Sequence, residues 1–125
     1  MVASAHRISR GSDFSRTLKA GVRVSTRDLV VHVLDLNGLE HPPVSTVGGP
    51  WLGLIVSKSV GNAVVRHRTA RRLRAAFDAT VDLCPSDQCL VVIRARPGVV
   101  DQRSDDLTRQ LRSAYRKPAL GTVSR

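Results

Sequence analysis

Apolar positions along the chain switch between two periods, and the switches divide it into elements. "DLVVHVLDL" (28–36) is rich in β-branched residues and reads as a strand. "CLVVIRA" (89–95) is apolar almost without a break, so it is expected at the centre of a sheet. "WLGLIVSKS" (51–59) reads as a further strand, with room for a short one near Val22 to Ser25. Elsewhere the spacing is helical. In "GSDFSRTLKAG" (11–21), Phe14 and Leu18 share a face, Ser12 is the expected N-cap, and Gly21 ends the helix. A second helix is expected from the cap at Asn62 to about Leu83. The third, "SDDLTRQLRSAYRK" (104–117), carries its stripe on Leu107, Leu111 and Ala114. Ser104 is its expected cap, with Asp105 and Asp106 at its positive end and Arg116 and Lys117 at its negative end.

"NGLEHPPVSTVGGP" (37–50) is rich in Pro, Gly and Ser and has no period, so a mobile loop is expected. "PSDQ" (85–88) reads as a turn, and residues 118–125 as a frayed tail. The order α, β, β, α, β, α implies one α+β domain over 1–125, an α-β sandwich with helices on a small mixed sheet.

The second helix is unusual in its charge. "VGNAVVRHRTARRLRAAF" (60–77) places five arginines between Arg66 and Arg74, and no carboxylate falls between Lys58 and Asp78. On a helical wheel with Arg66 at zero, Arg74, His67, Arg71, Arg68 and Arg72 fan from about 80° to about 240°. Leu73, Phe77, Ala70 and Ala76 take the opposite side. Arg66 shares the apolar azimuth and, from the first turn, can project past the edge of a core. Solvated helix faces usually mix signs, because opposite charges four residues apart support the helix and like charges repel. A one-sign face such as Arg68 and Arg72 is relieved by a bound anion, so a polyanion surface is favoured over an ordinary solvated face.

Composition agrees. The 125 residues carry a formal charge of +10, with 42% hydrophobic content, which suits a single globular domain bound to nucleic acid. No apolar run approaches the roughly 20 residues that span a bilayer, and the arginine helix lacks the apolar face of an interfacial anchor, so no membrane role is expected. The N-terminus "MVASAHRISRGSDF" has no apolar segment of a secretory signal, which points to the cytoplasm. Cys84 and Cys89 lie near no histidine pattern, since His6, His32, His41 and His67 are scattered; plain thiols are expected.

A reaction centre is hard to assemble. The ten carboxylates are dispersed except at Asp101, Asp105 and Asp106, and helix capping accounts for the last two. The lysine of "SKSVGNAV" precedes its glycine, so this is no Walker loop. Ser57 and Ser59 have no assignable His and Asp partners. Phe14, Trp51, Phe77 and Tyr115 are the only aromatics, too few for a binder that stacks base after base. Phosphate and shape should dominate, gripped by guanidinium groups.

"KSVGNAVVRHRTARRLR" (58–74) resembles the hallmark K-x-x-G-x-A-V-x-R-N-R-x-x-R-x-x-R of the protein subunit of bacterial ribonuclease P. Lys58, Gly61, Ala63, Val64, Arg66, Arg68, Arg71 and Arg74 match it position by position. "SDFSRTLKAG", "LVVHVL", "WLGLIVSKSVGNAV" and "PSDQCLVVIRARPG" are similar to the family's first helix, following strand, entry strand, and later turn and strand.

The resemblance implies a four-stranded mixed sheet with three helices and a left-handed βαβ crossover through the arginine helix, against the usual rule. It implies an endoribonuclease that acts as a ribonucleoprotein. The RNA subunit removes the 5′ leader of precursor tRNA with Mg2+ that the RNA mainly holds, and the protein alone binds none. The resemblance assigns RNA binding to Lys58, Asn62, Arg66, His67, Arg68, Arg71, Arg72 and Arg74. It assigns the leader to a cleft between first helix and sheet, with Phe14, Leu18 and His32 as candidates. No catalytic residue and no protein oligomer is expected. His67 replaces the family's usual Asn, and Leu18, Leu29 and His32 stand at cleft positions that often carry aromatics, so stacking should be weaker. Phe14 also sits on a helix stripe, where core packing is the competing reading. The alternatives are a non-catalytic RNA-binding module such as a small ribosomal protein, or a protein-only nuclease, which would need converging metal ligands.

Overall fold

Helix α1 (Gly11–Ala20) runs directly into strand β1 (Val22–Ser25), and strand β2 (Leu29–Asp35) returns beside it. Strand β3 (Trp51–Ile55), helix α2 (Ala63–Ala79), strand β4 (Cys89–Ala95) and helix α3 (Ser104–Tyr115) follow. This is a computed structural model, and it describes residues 7–8, 11–36, 49–86 and 88–117. Most of the expected 37–50 loop and the whole 118–125 tail lie outside those residues.

The sheet order is β1-β2-β4-β3. β4 pairs antiparallel with β2, from Leu29 opposite Ala95 to Asp35 opposite Cys89, and parallel with β3, from Trp51 beside Leu90 to Ile55 beside Arg94. The sheet is therefore mixed, and α2 makes the crossover between the parallel pair β3 and β4. Because β2 and β4 are interior, both their faces are covered. That is why their sequences are apolar without alternation.

On one face, Leu29, Val31 and Val33 of β2 and Val91 and Ile93 of β4 form the main core with Leu73 and Phe77 of α2 and Leu107 and Leu111 of α3. Side chains alternate along a strand, so His32, Leu34, Leu90, Val92 and Gly53 belong to the other face. There α1 packs across β2 and β4. A smaller apolar cluster of Leu34, Leu36 and Leu90, with Ile8 and Trp51 against it, closes one end of that face. The join between α1 and β1 needs Gly21: a Cβ there would stand 2.5 Å from the Thr17 carbonyl oxygen and 3.1 Å from that of Val33. The residue lets the end of the helix pass close over β2.

Several expected boundaries move. α1 begins at Gly11, so Ser12 lies inside the first turn and is not the cap. β3 ends at Ile55 rather than 59, because a turn closed by Val60 N–H on the Ser57 carbonyl (3.0 Å) folds the chain back and buries Val60. α2 ends at Ala79 rather than near Leu83. Buried Thr80 stops it, donating its hydroxyl to the Ala76 carbonyl (2.8 Å) and its N–H to Phe77 (3.0 Å), and a 3-10 turn continues over Val81–Leu83. α3 is capped from Arg103 rather than Ser104: the Asp106 carboxylate reaches back to accept from the Arg103 N–H at 3.0 Å.

Candidate nucleic-acid interface

The N-terminus of α2 is built by its sequence. Lys58 is exposed in the turn after β3, and its carbonyl accepts from the Gly61 N–H at 3.2 Å. Gly61 has a φ of +157°, and a Cβ there would stand 2.9 Å from the Val65 side chain. Asn62 is extended and caps the helix, its Oδ1 accepting from the Val65 N–H at 3.0 Å. The Asn62 carbonyl side is thus structural, and its amide hydrogens remain for a partner. Val64, 73% exposed, stands on the outer surface of the helix among cations.

The single basic fan read from the wheel divides in three dimensions. Thr69, Leu73, Ala76 and Phe77 are the residues of α2 that enter the core. To one side, Arg66, His67 and Arg74 line a groove of about 290 Å³ with Ala63 and Ala70, closed by Leu54 and Val56 from the β3 side. This resolves Arg66, which leaves the apolar azimuth at the sheet edge. Among the described residues, no carboxylate lines the groove. To the other side, Arg72 donates to the Gln102 carbonyl at 3.0 Å, and Arg68 precedes it by one turn. Arg71 lies exposed between the two flanks. Arg66 and Arg68 each keep a buried Nε with no hydrogen-bond partner among the described residues.

Arg7 belongs with the first flank. It bridges in parallel to Leu52 on the open edge of β3, and Ile8 N–H donates to the Leu52 carbonyl at 2.9 Å. Burial first, and the charge of Arg7 second, push the Arg74 guanidinium below its ordinary value. Two like charges therefore lie near each other at a groove that has no anionic side chain among the described residues.

The opposite face of the sheet brings Phe14 and His32 to one row. Gly53, Val92 and His32 form one lateral row across β3, β4 and β2. The half-buried ring of Phe14 lies on Gly53, where an added Cβ would be 2.5 Å from Cζ. His32 is 8% exposed, and its Nδ1 has no partner among the described residues. Its pKa falls below the usual 6.5, through burial first and then the charges of Arg23 and Arg94. Leu18, also half-buried, follows Phe14 by one turn of α1. Leu29, by contrast, is wholly buried in the main core on the other face and lines no cleft here.

Sequence reasoning missed Arg7, Arg23 and Arg94. Arg94 is the one exposed position in an otherwise buried β4, and Arg23 alternates outward between Val22 and Val24. The strand period carried that signal; Arg7 left none, because its position depends on an edge contact. Among the described residues, no group of three or more His, Cys, Asp or Glu is placed to hold a metal ion, and no helix is long and apolar enough to cross a membrane.

The mixed sheet, its parallel crossover through an arginine helix and the cation-lined groove define a small basic α+β protein built around one helix N-terminus. A family model described as Ribonuclease P matches residues 2–119. The chain is 48% identical to the ribonuclease P protein component of Nocardia farcinica, over 94% of this chain and 83% of that one. It is also 48% identical to the protein component of Rhodococcus jostii, over 90% and 88%. Among solved structures, the Staphylococcus aureus RNase P protein matches with a TM-score of 0.68 at 27% identity, over 87% of this chain and 91% of that one. The RNase P protein from Thermotoga maritima shares the fold with a TM-score of 0.68 at 18% identity, over 89% and 96%. The chain belongs to the ribonuclease P protein component family, the protein part of the ribonucleoprotein endonuclease of tRNA 5′ processing.

Proposed function

We propose that this chain binds the catalytic RNA of ribonuclease P and the 5′ leader of precursor tRNA, so that the RNA subunit removes the leader. The observation that carries this reading is the groove at the β3 edge, with Arg66, His67 and Arg74 on its wall, Arg7 beside Arg74, and no carboxylate in the lining among the described residues. A groove of one charge sign beside a low-dielectric core concentrates the field on a polyanion. Guanidinium groups grip phosphate in a bidentate fork, and the neutral side chains between them fit a backbone read by shape. Lys58, the Asn62 amide, Arg68 and Arg71 extend the same surface, while Arg72 contributes charge from a position already tied to Gln102.

The leader is assigned to the α1 face. Phe14 offers its half-buried ring to a base, His32 lies in the same row of the sheet, and Arg23 and Arg94 supply charge for the phosphates alongside. Leu18 adds apolar surface. In this reading Mg2+ belongs to the RNA subunit. Among the described residues, no group of three or more His, Cys, Asp or Glu is placed to hold it. The chain's own work is to orient two RNA segments on two faces of one rigid sheet, and the reading places it in the cytoplasm.

The test is cleavage of precursor tRNA by the protein alone, by the catalytic RNA alone, and by the two together at low magnesium. A mature 5′ end formed efficiently only by the pair is the expected outcome. Cleavage by RNA-free protein would overturn the reading.

A further inference from the structure

A second cavity lies away from the groove at the β3 edge. It measures about 500 Å³ and opens between the turn that joins β1 to β2 and the outer face of α3. Its walls are held together by a polar clasp. Thr26 Oγ1 donates to Gln110 Oε1 at 2.7 Å, and the Asp28 N–H donates to the same oxygen at 3.0 Å. Gln110 Nε2 in turn donates to Asp28 Oδ2 at 2.8 Å, and Arg96 braces the turn by donating to the Thr26 carbonyl at 3.3 Å. Asp28 is buried behind this floor, and its carboxylate is not part of the cavity lining. Three hydrogen bonds thus tie the β1–β2 turn to α3 and a fourth ties it to the residue after β4, so the cavity does not have to be formed by a ligand.

Its lining is basic. Among the described residues, Arg27, Arg109 and Lys117 face a single carboxylate, Asp106. That carboxylate is already committed, with Oδ2 accepting from the Arg103 N–H and Oδ1 paired with Arg109. Arg27 and Lys117 are exposed and have no side-chain partner among the described residues. Ser25 from the β1 side and Ser113 from α3 add hydroxyl-bearing residues to the lining. Cations joined with hydroxyl donors in a preformed pocket are the donor set of a phosphate site.

The cavity also connects to α2. Gln102 lines it, and the Gln102 carbonyl accepts from Arg72. From Arg71 on the crest, through Arg68 and Arg72, positive charge continues to the rim of the cavity. We propose that this cavity is a second phosphate-binding site, taking a phosphodiester of an RNA strand that leaves α2 along the Arg68–Arg72 flank. The inference rests on the ribonucleoprotein reading above and adds a contact surface to it.

The test uses the full chain with the catalytic RNA. Arg27→Ala/Lys117→Ala should weaken RNA binding by about fivefold to twentyfold, the scale of one or two charge-assisted contacts. The slope of log affinity against log salt should become shallower by about 1 to 2, since fewer counterions are released. Ser113→Glu puts an opposing charge on the same wall and should weaken binding in the same direction, with thermal melting unchanged. A photo-crosslinker on Ser113→Cys should label the RNA. Unchanged affinity and slope in the Arg27/Lys117 variant, while Arg66→Ala/Arg74→Ala binds poorly, would refute this site and leave the function standing. Failure of the unaltered protein to bind the RNA would refute both. A third arm titrates inorganic phosphate and follows the Arg27 and Ser113 amide signals: phosphate that fills the cavity without competing with RNA would mean a free-phosphate site and overturn the RNA assignment.

Discussion

The ring of Phe14 rests on the backbone of Gly53, so closely that a methyl group at Gly53 would meet Cζ at 2.5 Å. The relationship joins α1 to the edge strand without any hydrogen bond. It also settles what kind of position Phe14 occupies. The ring is seated against the sheet yet half-buried, on the opposite face from Leu73 and Phe77.

Gly53→Ala should therefore act as a remote substitution of Phe14. The ring is the mobile partner, so it should lift away at a stability cost on the order of 1 kcal/mol. Leader-bearing precursor tRNA should bind less tightly, with mature tRNA unaffected. Binding of the two substrates by Gly53→Ala and Phe14→Ala, beside melting curves, checks this. An equal loss for both substrates would remove Phe14 from the leader site.

The two flanks of α2 should respond differently to alanine. Arg74→Ala and Arg71→Ala should each lose about 1–2 kcal/mol of RNA affinity with the fold intact. Arg72→Ala should also lower stability, by about 1 kcal/mol, because it releases the Gln102 carbonyl. Urea unfolding of the three variants separates the cases. Destabilisation by Arg74→Ala and not by Arg72→Ala would invert the assignment.

His32 should make stability depend on pH. Its folded pKa lies below the unfolded value of 6.5, so below that value the unfolded chain binds more protons than the folded one. Stability should be fully present above pH 6.5 and should fall as pH drops from there through the folded pKa. His32→Leu should flatten that part of the profile. Unfolding free energies of both proteins across this range test it, and an unchanged slope would assign the effect to another group.

Gln110 should be the most sensitive polar residue of α3. Its loss leaves the Asp28 N–H, the Thr26 hydroxyl and the Asp28 carboxylate short of partners at one place. Gln110→Ala should cost about 2–4 kcal/mol, the scale of unpaired buried polar groups. Gln110→Glu keeps an acceptor but sets a second carboxylate beside Asp28, and should not rescue. Equal stability of Gln110→Ala and the unaltered protein would mean that water replaces the clasp at no cost.

Much of this was legible in advance. The unbroken apolar run at 89–95 marked β4 as central, because only a strand covered on both faces lacks a polar side. Asn62 and Gly61 announced the start of α2 through cap chemistry and backbone freedom, both local properties. Other boundaries were misread, one through a long-range contact and one through a local cap that a neighbouring serine obscured. β3 stops early because Val60 is drawn into the core, and α3 takes its cap from Arg103 because Asp106 can reach back.

By itself, then, the sequence determined the elements, the apolar stripe of each helix and the presence of one helix whose charges share a sign. These follow from periods of 2 and 3.6 and from capping groups a few bonds away. Only the tertiary structure decided how the charges are shared out. The sheet edge collects Arg66, His67 and Arg74 with Arg7 on one side, while Gln102 draws Arg72 to the other. It alone set Phe14 on Gly53 and bound Asp28 to Gln110, more than eighty positions apart. A helical wheel orders residues around one axis; which side of that axis meets a strand edge, a second helix or solvent depends on packing with segments that the local pattern does not contain.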